Sequence, residues 1–124
     1  MSNKFTFWYL ATPYTLYPHG MENAYAMACE QAGRFVRAGI PVFSPIAHTH
    51  GIAEFGSVHP TDHAIWLPAD KPFVDAASGL VMVLADGWKE SKGMAWELAE
   101  FEKAGKPIVW MCPGHLPISV FPHA

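Results

Sequence analysis

Charge is sparse in this chain: Asp, Glu, Lys and Arg make up 15% of its 124 residues and leave a net charge of −3. Gripping a nucleic-acid polymer or an anionic membrane takes a basic surface, and no basic excess is present, so neither partner is expected. Cysteine is scarce as well. Cys29 and Cys112 have neither metal-binding nor redox spacing and read as buried thiols in a reducing cytoplasm. No apolar run is long enough to cross a bilayer, and Phe5–Ala11 is too short for a signal peptide and follows only a brief polar start. Internal repeats and low-complexity tracts are missing too. The expectation is a cytoplasmic protein with one domain over residues 1–124, holding no metal and no cofactor.

Apolar residues are plentiful, at 51%, and five tryptophans help to bring the aromatic share to 14%. That is ample for a core and excludes a disordered chain. The aromatic share exceeds what a core of this size needs, which points to a homo-oligomer, a dimer or tetramer.

The chain is organised around residues 80–105. Leu80–Ala85 is an unbroken apolar run, read as a strand covered on both faces. Asp86-Gly87 turns out of it. Ser91 suits a helix N-cap, and Gly105 with Pro107 suits the stop. At 3.6 residues per turn Met94, Leu98, Phe101 and Ala104 share a face, with Trp96 and Lys103 pointing away. Glu97 falls inside the apolar arc. A carboxylate there is costly to bury unpaired. It stands one turn from a Ser-x-Gly helix start, at the carboxyl end of a parallel-type strand, where open α/β sheets bind ligands.

Elsewhere, Phe5–Ala11 predicts a first strand, residues 21–38 a helix buried through Ala24, Ala28, Ala32 and Phe35, and Ile40–Ser44 a second strand. Pro45–Leu67, rich in Gly, Pro and His, reads as loop with short helical turns. A helix over 70–77, a fourth strand over 107–111 and an edge strand over 117–121 complete the reading. Strands alternating with helices predict a three-layer, flavodoxin- or Rossmann-like α/β fold, with a parallel sheet of four or five strands and helices on both faces.

In that fold the ends of the first and third strands share one rim. Tyr9, Thr12 and Tyr14 come to it from the first, and Asp86, Ser91, Gly93 and Glu97 from the third. A helix start opened by Ser-x-Gly offers free N–H groups to an anion, and Gly93 lets a ligand approach the backbone. His48 and His50 follow the second strand and are candidates to line the same pocket. The four histidines from His48 to His63 match no zinc signature.

Tyr9-Leu10-Ala11, Asp70 ahead of the third strand, and Ser91-Lys92-Gly93-(x)3-Glu97-Leu98 before Gly105-Lys106-Pro107 resemble the nucleoside 2-deoxyribosyltransferase superfamily, which includes nucleoside 5′-monophosphate N-glycosidases. The resemblance implies that Glu97 attacks the anomeric carbon of a nucleoside or nucleotide, that Asp70 handles the proton of the departing base, and that Tyr9 holds the nucleophile. It also implies sites completed across a subunit boundary. Asp75 competes with Asp70 for the acid role. Ser91 stands where transferases often carry Asp, resembling the monophosphate hydrolases, in which that serine contacts phosphate. Ser78 replaces the Asp usual at the start of the third strand. Two other classes remain: a nucleotide-binding module without catalysis, and an interaction protein built on Trp88, Trp96 and other aromatics.

Overall fold

In the computed structural model, which describes residues 4–122, four strands form one parallel sheet: β1 (Trp8–Ala11), β2 (Val42–Phe43), β3 (Gly79–Val83) and β4 (Ile108–Met111). Their order is β2-β1-β3-β4. Four helices surround them: α1 (Met21–Arg37), α2 (Pro45–Gly56), α3 (His63–Ala76) and α4 (Lys92–Lys103). This is the three-layer, Rossmann- or flavodoxin-like α/β fold that the alternation of strands and helices predicts.

Period-two alternation divides the core between the two faces of the sheet. Trp8, Leu10, Val81 and Val83 pack with Phe35 of α1 on one side. Tyr9, Ala11, Leu80 and Met82 pack with Val74 of α3 and with Met94 and Phe101 of α4 on the other. The apolar positions of α1 stay buried at Ala24, Ala28 and Phe35, with Gln31 among them. Gln31 is satisfied by accepting the Gly114 N–H at 2.8 Å. Gly79 must lack a side chain, because a Cβ there would stand 2.5 Å from the Trp8 ring.

Several sequence expectations change. Pro45–Leu67 is mostly helix: Ser44 caps α2 by accepting the Ala47 N–H, with Pro45 in the first turn, and Asp62 caps α3 by accepting the Ala64 N–H. The helix expected from Asp70 therefore begins about two turns earlier, at His63. Residues 117–121 form no edge strand. A single 3-10 turn over Ile118–Val120 puts Val120 into the core, where its carbonyl accepts the Trp8 indole N–H at 3.1 Å. Trp96 does not point away: it is half-buried, packs on the α3/α4 side of the core and reaches the cleft described below. Ala104 is exposed rather than part of the buried face of α4. Both cysteines are exposed, not buried: Cys29 lies off the buried face of α1, and Cys112 lies just past the end of β4. Among the described residues no helix is long and apolar enough to cross a membrane.

Candidate active site

The strand order reverses between β1 and β3, since β2 lies beyond one and β4 beyond the other. Crossovers from neighbouring strands then leave in opposite directions, and a crevice opens at their carboxyl ends. A cleft of about 340 Å³ occupies that place. The segment after β1 supplies Thr12 and Tyr14, the start of α2 supplies Ile46 and Thr49, α3 supplies Trp66 and Asp70, and the start of α4 supplies Ser91, Gly93, Trp96 and Glu97.

Glu97 and Asp70 are both buried, at 6% and 8% exposure. Burial disfavours a charged carboxylate, so each pKa rises. Asp70 is pushed up to about 6 by burial. Glu97 is pushed up to about 8, first by burial, against the opposing pull of the Tyr9 hydroxyl and with a further push from the Asp70 charge. Both carboxyls are thus held toward their neutral forms, Glu97 more strongly than Asp70. Asp70 Oδ1 has no hydrogen-bond partner. Asp75, the other candidate acid, is exposed and paired with Lys71 outside the cleft.

Tyr9 is fully buried beneath the cleft. Its hydroxyl and the Glu97 carboxyl lie close enough to influence each other's charge, although the hydroxyl makes no formed hydrogen bond. Burial, and then the Glu97 charge, raises its pKa far above the ordinary tyrosine value, so it stays a neutral donor. Thr12 Oγ1 is buried without a partner at the same rim.

Ser91 caps α4, its Oγ accepting the Met94 N–H at 3.2 Å. The hydroxyl hydrogen remains available to another acceptor. Beside it, a Cβ on Gly93 would meet nothing nearer than Ser91 Oγ at 4.0 Å, so this glycine borders open space.

Three candidates from the sequence lie apart from the cleft wall. Asp86 is exposed and pairs with His19 at 3.3 Å. His48 packs against the stacked pair of Phe43 and Phe73, with ring centroids 5.5 and 5.7 Å away. His50 lies behind Tyr14 and accepts or donates at 2.8 Å to its hydroxyl. Conversely, sequence reasoning passed over Thr49 and Trp66. The signal for both was the pair of helix starts at Ser44-Pro45 and Asp62, which turns an apparent loop into two walls of the cleft. Among the described residues no cluster of His, Cys, Asp and Glu is arranged to hold a metal ion.

A cleft at the switch point of a parallel sheet, floored by two buried carboxyls, stands where open α/β sheets place their ligands. The chain itself belongs to the DUF1937 family, described as a domain of unknown function, which it matches over residues 6–112. Among curated proteins, none matches it.

Proposed function

We propose that the cleft binds a nucleoside or nucleoside 5′-monophosphate and cleaves its N-glycosidic bond, or transfers the sugar to another base. The observation that carries this reading is the pair of buried carboxyls, Glu97 and Asp70, that line one cleft and are each raised in pKa by burial. Displacement at an anomeric carbon needs one ionised carboxyl to attack and one protonated carboxyl to assist the leaving group. In the proposed reaction Glu97 forms the bond to the anomeric carbon as the bond to the base breaks, and the base leaves with a proton from Asp70. Water or a second base then displaces Glu97.

In the free protein burial holds a proton on Glu97 more strongly than on Asp70. The reaction therefore requires it to pass to Asp70 once a ligand fills the cleft and its base nitrogen settles against Asp70. A Tyr9 hydroxyl turned onto Glu97 favours the ionised form. Release of free base from a panel of nucleosides and their 5′-monophosphates tests the reading, with Glu97→Ala as control. Base release that survives in Glu97→Ala defeats it.

A protonated Glu97 is itself a hydrogen-bond donor, and that observation favours a second reading: a nucleotide-binding module without catalysis. Tight ligand binding with no base released by the wild type would select it. The proposal also carries a homo-oligomer, supported by the exposure of Trp110 on β4 and of Ile118 and Phe121 in the C-terminal segment. Light scattering that gave the mass of one 13.7 kDa chain would remove that part.

A further inference from the structure

One hydrogen-bonded chain reaches the cleft from the protein surface and has no part in the carboxyl chemistry. Glu22 of α1, 80% exposed at its side chain, lies 3.0 Å from His50 Nε2. His50 Nδ1 lies 2.8 Å from the hydroxyl of Tyr14, and Tyr14 is a wall of the cleft. The imidazole is held flat against Tyr25, with ring centroids 4.3 Å apart and planes at 15°, and edge-on to Tyr14 at 86°. Its position is thereby fixed from α1, from α2 and from the segment after β1.

The acid–base groups touching His50 are Glu22 and Tyr25 from α1, Glu54 from α2 at 3.9 Å from Nε2, and Tyr14. Both carboxylates address the same nitrogen. A neutral imidazole carries one N–H, and placing its bare lone pair against two carboxylates is unfavourable, so Nε2 is the protonated nitrogen. Nδ1 is then an acceptor, and the Tyr14 O–H must donate to it. Burial, with the Glu22 charge adding to it, raises the Tyr14 pKa and keeps that proton on the phenol.

We propose that the Glu22–His50 pair is a positioning device that sets the hydrogen-bond polarity of Tyr14 in the cleft. With His50 neutral, the Tyr14 proton is committed to Nδ1, and the phenol oxygen meets a ligand only as an acceptor. It then selects a ligand that presents a donor at this wall, a sugar hydroxyl, over one that presents an anionic oxygen. Protonated His50 donates from both nitrogens, so the Tyr14 O–H is released and turns to the ligand as a donor. The selection of a sugar hydroxyl rests on the nucleoside reading above, whereas the polarity of Tyr14 does not.

Two measurements test the device separately from that reading. Long-range 1H–15N spectra of histidine-labelled protein at pH 8 should give His50 as the tautomer protonated at Nε2. The Nδ1-protonated tautomer overturns the proposal, whatever the cleft binds. Calorimetric titration with adenosine, cytidine and their 2′-, 3′- and 5′-deoxy forms should then show one missing hydroxyl weakening binding about fivefold or more at pH 8. That loss should shrink in Tyr14→Phe. His50→Asn, which places an amide oxygen where Nδ1 stands, should keep the loss seen in the wild type. Equal losses in wild type and Tyr14→Phe overturn the device. If no nucleoside binds at all, the functional reading falls and the tautomer alone decides.

Discussion

The cleft takes one carboxyl from each of two regions that differ in how plainly they declare themselves. Glu97 comes from the β3–α4 segment, where a solid apolar run, a turn, an N-cap and an amphipathic helix agree with one another. Asp70 comes from α2–α3, where almost every local signal points elsewhere. In α2, Ile52 and Phe55 face solvent while buried Thr49 faces inward, so no 3.6-residue stripe is visible. In α3, Pro68 and Pro72 lie inside the helix, where proline removes an N–H and ordinarily breaks it. Both prolines are on the exposed side, so water can reach the carbonyls they leave free. Local consistency thus makes a region readable, and tertiary contacts can hold a region that lacks it.

The largest expected effect strikes both regions through their carboxyls. Glu97→Ala should abolish base release, and Asp70→Asn should slow it by roughly 10²–10⁴, the usual worth of a positioned general acid. Both variants should keep the native circular dichroism spectrum. Equal activity in Asp75→Asn and wild type would complete the assignment, because Asp75 stands outside the cleft.

The next effect separates the two carboxyls by pH. Glu97 ionises near 4.5 unfolded and near 8 folded; Asp70 ionises near 3.8 and near 6. Between each pair of values the folded state binds more protons, so stability falls as pH rises through the window and levels off above it. Replacing a carboxyl by its neutral amide removes that cost. Glu97→Gln should stabilise the fold more at pH 8.5 than at pH 5, by on the order of a few kcal/mol, read as a larger rise in Tm at the higher pH. Asp70→Asn should give a smaller gain, complete by about pH 7. A Tm difference independent of pH would show that neither group is forced toward its neutral form.

How much of this was legible follows the same division. The four strands, α1 and the capped start of α4 all rest on patterns within one element, and Glu97 was found because it interrupts such a pattern. The Asp70 environment was not legible, because it is made by α4 and by the end of β1, distant in sequence. His48 and His50 were drawn toward the cleft by their place after β2. Ring packing with Phe43 and Phe73 claims the first, and Glu22 on another helix claims the second. The outward reading of Trp96 failed for the opposite reason: the helix projection was sound, but α3 and the cleft wrap further round α4 than one sheet face would.

Proline placement can sharpen the contrast. Ala95 is exposed, yet its N–H bonds the Ser91 carbonyl at 3.1 Å. Ala95→Pro should therefore cost about 3 kcal/mol in urea unfolding. Pro72→Ala should move the other way, gaining about 1 kcal/mol by restoring an intrahelical bond, less than the full propensity difference because the proline also restricts the unfolded chain. A destabilised Pro72→Ala would mean that the proline ring is itself part of the packing.

The smallest effect compares the two caps. Ser91 opens α4 and Asp62 opens α3, and each accepts one backbone N–H at 3.2 Å. Removing either side chain with alanine should cost about 1 kcal/mol of stability. Only Ser91 lines the cleft, with its hydroxyl hydrogen uncommitted and Gly93 leaving space beside it. If a phosphate docks there, Ser91→Ala should also weaken a nucleoside 5′-monophosphate about tenfold or more relative to its nucleoside, the typical worth of a hydrogen bond to a charged group. Asp62→Ala should leave that ratio alone. The carboxyls deeper in the cleft oppose a second negative charge, so the phosphate must be held at this outer rim, where the N–H groups of α4 face it. A ratio near one in the wild type would leave Ser91 with the same job as Asp62, and would turn the ligand toward the uncharged nucleoside.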